Sequence, residues 1–115
     1  MHRLVRAFPL LLGKREALDA FVAEVRYRKE EISTFYKTYG IVRESWHLQS
    51  TPAGDMVICC TDLQDLAAAA HDYAESQGPF ELWFKGKVFE LCGVDANRQP
   101  EGPPAKPLFD WPGLA

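Results

Sequence analysis

Met56–Cys60 reads Met-Val-Ile-Cys-Cys, five apolar positions in succession. Successive side chains of an extended strand point to opposite faces, so an unbroken apolar run belongs to a strand that is covered on both sides. A chain of 115 residues can bury roughly two-thirds of its unfolded surface, enough for one core between a sheet and one layer of helices. It has little left with which to cover the sheet's other face. The run therefore implies a single domain over residues 1–115 that borrows cover from outside itself, and a second copy of the same sheet is the simplest cover. A charge introduced at Val57 or Cys59 is expected to split or unfold such a pair.

The flanking segments supply the rest of the fold. "LVRAFPLL" has strand-forming residues and ends at Leu12-Gly13. From Lys14 to Tyr39, Leu18, Val25, Ile32 and Tyr39 recur every seven residues with Phe21, Val22, Phe35 and Tyr36 between them, which predicts a helix with one apolar face. The charged turn "RYRKEE" interrupts that face and predicts either a bend or a charged face for solvent or a partner. "IVRESWHLQST" alternates: Val42, Glu44, Trp46 and Leu48 share one side, and Arg43, Ser45, His47 and Gln49 share the other. "TPAGD" is turn chemistry, so this strand and the apolar one form a hairpin.

Thr61 and Gln64 match a capping box ahead of an alanine-rich helix. Gly78-Pro79 opens a further helix, "PFELWFKGKVFELC", with Phe80, Trp83, Phe84, Val88 and Leu91 on one broad side and Leu82 and Phe89 nearly opposite. An apolar residue on each side predicts cover on each side, with Lys85 and Lys87 in solvent. The tail from about residue 95 to 115 holds five of the chain's eight prolines and reads as extended, with "KPLFDW" as a last short strand and Leu108, Phe109 and Trp111 buried.

Composition removes several classes of function. With 47% hydrophobic and 25% charged residues the chain is typical of a globular domain, and a net charge of −3 spread over both signs argues against nucleic acid as a partner. No stretch reaches the roughly 20 apolar residues of a membrane span, and Arg6 and Pro9 break up the N-terminal apolar stretch, so a cytoplasmic protein with no membrane partner is expected. Cys59, Cys60 and Cys92 offer no metal-ligand or redox spacing and read as small apolar residues. There is no phosphate loop, nucleophile elbow or zinc motif, so no metal or cofactor is expected.

The order strand, helix, strand, strand, helix, helix, strand is that of an α+β, ferredoxin-like βαββ(α)αβ chain with a four-stranded antiparallel sheet. With "RESWHLQSTPAGDMVI", "GPFELWFKGKVFELCGVD" and "LFDW" the chain resembles the dimeric α/β-barrel superfamily, in a branch of small bacterial proteins. The resemblance implies a homodimer in which two sheets pack face to face. Its relatives include cofactor-independent monooxygenases, isomerases, haem-handling proteins and sensing domains, so the fold selects no chemistry. His71 with Trp46 and Trp83 is similar to the histidine and tryptophan used by haem-degrading relatives, but the first strand lacks their asparagine.

The polar side of "IVRESWHLQST" is the candidate site. Arg43, Ser45 and His47 put a cationic fork, a hydroxyl and an imidazole in line: facing a cavity they would bind a small carboxylate or enolate, and on an edge strand they would be a solvated polar face. Trp83 is the candidate wall of that pocket. The expected function is binding of a small anionic or aromatic molecule by a dimeric module. The alternative is a cofactor-independent monooxygenase or isomerase of the same superfamily, for which the sequence assigns no catalytic residues.

Overall fold

A computed structural model describes residues 1–98 and 104–113. The described chain is α+β, with the order β1 (His2–Pro9), α1 (Arg15–Tyr27), α2 (Lys29–Thr38), β2 (Ile41–Thr51), β3 (Gly54–Leu63), α3 (Leu66–Glu75) and α4 (Pro79–Cys92). The three strands form one antiparallel sheet in the order β1-β3-β2. The apolar run thus lies on the central strand, where both edges are hydrogen-bonded and a charge or a proline would be most disruptive.

Register assigns the faces. Val57 and Cys59 stand opposite Phe8 and Arg6 on β1 and opposite Leu48 and Trp46 on β2. Trp46 and Val57 pack against the buried cluster of Leu18, Phe21, Phe35, Phe84 and Leu91, so this is the helix side. On the other side lie Val5, Ala7, Met56, Ile58 and Cys60, flanked by Arg43, Ser45, His47 and Gln49. Val57 and Cys59 are therefore core-facing, and a second sheet would meet Ile58 and Cys60 instead. An unbroken apolar run carries no parity signal, which is why sequence alone pointed to the wrong pair.

The expected long helix is two. Arg28 leaves helical geometry (φ −87°, ψ 44°) between α1 and α2. Its guanidinium lies 4.2 Å from the centroid of the Trp83 ring and pairs with Glu24 at 2.9 Å and Glu31 at 3.8 Å, one acid from each helix. The break falls in the charged turn, and both halves pack against α4. Phe35 gathers Phe80, Phe84, Tyr36, Tyr39 and Tyr73 at centroid distances of 5.2–5.7 Å. Each such pair adds about 0.5–1.5 kcal/mol beyond its buried area.

Several local expectations change. The cap of α3 is Asp65, whose carboxylate accepts from Ala68 N at 3.0 Å, and Thr61 is buried on β3. Val42 sits where the β2–β3 register shifts between Ile41 and Arg43, and it is exposed, so the alternation starts only after it. Pro79 does open α4, and Gly93 closes it with φ 71°, a left-handed position that favours glycine. Leu82 and Phe89 are exposed, so the second apolar side of α4 is uncovered within this chain. Lys85 is buried rather than solvated: its Nζ donates to the carbonyls of Ala74 and Ser76 and to Asn97 Oδ1 at 2.9–3.2 Å, closing the C-terminal end of α3.

Among the described residues no strand follows α4. Ala105, just ahead of the segment expected as a fourth strand, donates its N–H to Val5 O of β1 at 2.8 Å. Leu108, Phe109 and Trp111 are 91%, 86% and 82% exposed, against the expectation of burial. Pro104 and Pro107 have no N–H to donate, which prevents a continuous ladder here. The rest of the expected tail, residues 99–103 and 114–115, lies outside the described residues.

Candidate functional site

Of the four residues expected at the site, the structure brings three together. Arg43, Ser45 and His47 share the helix-free face of β2, and His47 Nε2 lies 3.0 Å from Ser45 Oγ. Arg43 stands opposite Asp62, whose carboxylate already accepts two hydrogen bonds from Arg3 at 2.7 and 3.1 Å. Those bonds, with the nearby charges of Arg3 and Arg43, hold the Asp62 carboxyl below its usual value in spite of opposing desolvation. Trp83 is on the other side of the sheet, against Phe21 and Phe80 and beneath Arg28. His71 is exposed beside Asp72.

The concavity is on the helix side. A cleft of about 390 Å³ opens between α1 and the β2–β3 hairpin, lined by Leu18, Val22, Trp46, Leu48 and Val57, with Arg15, Asp19, Arg26 and His47 completing its lining. Its floor is aromatic because Trp46 lies nearly parallel to Phe21, with ring centroids 5.7 Å apart and planes 10° apart. Two arginines, Arg15 and Arg26, are set against one acid, and Arg15 already pairs with Asp19 at 3.3 Å. His47 is the one expected site residue that borders this cleft; Arg43, Ser45 and Trp83 are not part of it.

Behind the cleft floor is a polar network that sequence reasoning did not single out. Glu44 enters between sheet and helices, where Oε2 accepts a short hydrogen bond from the Tyr36 hydroxyl and one of 3.0 Å from Trp46 Nε1. Its Oε1 accepts from Thr61 Oγ1 at 2.8 Å, and Cys59 Sγ lies 4.0 Å from that hydroxyl. Burial, reinforced by the Glu44 charge, raises the pKa of Tyr36, Cys59 and Tyr73. All three stay protonated, so Cys59 is no thiolate nucleophile. The sequence signal for Glu44 was present: it is the one carboxylate on the side of the strand that carries Trp46 and Leu48.

The network positions; it does not offer a reactive group. A carboxylate that accepts three hydrogen bonds has little capacity left for a substrate proton, and Trp46 N–H can only donate. What it does is lock the indole plane over the cleft. A second hollow, of about 270 Å³, lies between α2 and α4 and is lined by Glu30, Glu31, Thr34, Phe35, Thr38, Phe80 and Glu81. Among the described residues no cluster of acids, histidines and cysteines has metal-binding geometry, and no helix is long and apolar enough to cross a membrane. Comparison with known proteins finds no matching family model, no similar curated protein and no similar solved structure.

Proposed function

We propose that this protein is a homodimeric binding module for a small, flat, anionic molecule, and that it belongs with the ferredoxin-like chains of the dimeric α/β-barrel superfamily. The cleft beneath α1 carries the binding reading: apolar walls, an indole floor held by Glu44, and Arg15 and Arg26 around it suit an aromatic ring that bears a carboxylate. The superfamily reading is supported by β3 lying between β1 and β2, and by one hydrogen bond from Ala105 of the tail to the β1 strand. The apolar strip Val5, Ala7, Ile58 and Cys60 supports a sheet-to-sheet dimer.

Binding is preferred to turnover because the carboxylate nearest the cleft floor already accepts three hydrogen bonds from protein donors. Isothermal titration with naphthoate, and with its uncharged amide as the control, tests the reading. Saturable binding of the carboxylate, about tenfold tighter than the amide and reduced to the amide's level by Arg26→Ala, is expected, since tenfold corresponds to about 1.4 kcal/mol of charge recognition. Equal affinity for the two compounds, or no saturation below millimolar concentration, would overturn it.

A further inference from the structure

The tail and the bare face of the sheet are two unsatisfied surfaces on one chain. Leu108, Phe109 and Trp111 place three large apolar side chains within four residues, each more than four-fifths exposed. Val5, Ala7, Ile58 and Cys60 form an apolar strip on the face without helices. The two are adjacent, because Ala105 N donates to Val5 O on the outer edge of β1. The Arg3 pKa is raised first by its bond to Asp62, with a further contribution from the charge of Asp110 in the tail.

Leu108, Phe109 and Trp111 nevertheless remain exposed beside that strip. Pro104 and Pro107 stiffen this segment in an extended form, which reduces the ordering cost when it docks on something else. A two-fold pair makes any such contact twice, so an arm offered to a second copy covers apolar surface on both chains. It also covers the outer edge of β1, which would otherwise invite unregulated pairing.

We propose that residues 104–111 form an arm that reaches from one copy to a second and clasps it, with Leu108, Phe109 and Trp111 closing the rim of that copy's apolar strip. The proposal rests on the homodimer reading above and adds the device that makes the dimer tight. Because the three side chains are exposed in the single chain, replacing them leaves its folding intact, so a loss of dimer cannot be mistaken for a loss of fold.

Sedimentation and light scattering across micromolar concentrations test both parts, on the full chain, on the double variant Phe109→Ser with Trp111→Ser, and on Ile58→Lys. The expected result is a dimeric parent, at least a hundredfold weaker association of the double variant with an unchanged far-ultraviolet dichroism spectrum, and a monomeric Ile58→Lys protein. A double variant that dimerises as tightly as the parent while Ile58→Lys does not would overturn the arm and leave the sheet-to-sheet dimer standing. A monomeric parent would overturn both.

Discussion

Glu44 and Arg43 are neighbours in sequence, and their side chains lie on opposite faces of the same strand. On the helix side, Glu44 is surrounded by donors from two strands and a helix, and each of them is fixed by packing. On the bare side, Arg43, Ser45 and His47 stand in line, and the one hydrogen bond among them joins Ser45 to His47. A polar group that loses water needs its partners built in, because an unsatisfied buried donor costs about 1–3 kcal/mol. A polar group that keeps its water needs none. Chemistry that looks purposeful in sequence, a row of Arg, Ser and His, is on the permissive side, whereas the constrained residue is a glutamate with no motif around it.

The contrast can be broken from the covered side first. Phe21 is buried and carries Trp46 on its face, so Phe21→Ala is expected to cost about 4 kcal/mol, read from urea unfolding, through lost burial and the cavity left behind. The same substitution should abolish binding in the cleft, since the indole loses the ring beneath it. A cost under about 1 kcal/mol would show that the sheet and α1 are not packed through this pair.

Glu44→Ala comes next, at on the order of 3 kcal/mol, because Tyr36, Trp46 and Thr61 lose their common acceptor. Glu44→Gln should lose less than half of that: its amide oxygen can keep Tyr36 and Trp46, and its NH₂ can donate to Thr61, whose hydroxyl also accepts. Ser45→Ala, one residue away on the other face, should change stability by no more than about 0.5 kcal/mol. Equal effects of Glu44→Ala and Ser45→Ala would remove the distinction between the faces.

The smallest effect concerns the end of the bare face. Asp62 has a carboxyl held low mainly by its hydrogen bond from Arg3. Its folded-state value is below its unfolded one, so it contributes stability that is present above the unfolded carboxylate value and lost as pH falls through the folded value. Unfolding curves of the parent and Asp62→Asn should therefore differ at neutral pH and converge in acid. Curves that stay parallel throughout would mean that the pair is fully screened by solvent.

Much of this architecture was legible in the sequence because it depends on periodicity. The 3.6-residue spacing from Leu18 to Tyr39, the alternation from Val42 to Gln49 and the Gly78-Pro79 start of α4 are local signals that placed helix, strand and helix, although the first helix divides at Arg28 and Val42 falls outside the alternation. The bend at "RYRKEE" was visible for the same reason, since a charged turn cannot continue an apolar face. The packing of Phe80, Trp83 and Phe84 into the core was readable from their shared side of α4.

What only the tertiary structure decided were matters of register and company. Five apolar residues in a row could not say that Val57 and Cys59 face the helices while Ile58 and Cys60 face outward; the pairing with β1 and β2 decides that, because a shift of one residue exchanges the faces. The role of Glu44 depends on Tyr36 and Thr61 arriving from a helix and another strand, contacts that no local pattern encodes. The same holds for Lys85, whose acceptors come from the end of α3 and from Asn97. The position of the cleft was undecidable in advance for a related reason: a cavity is the space left between elements, and its shape is set by how helix and sheet fail to fill it.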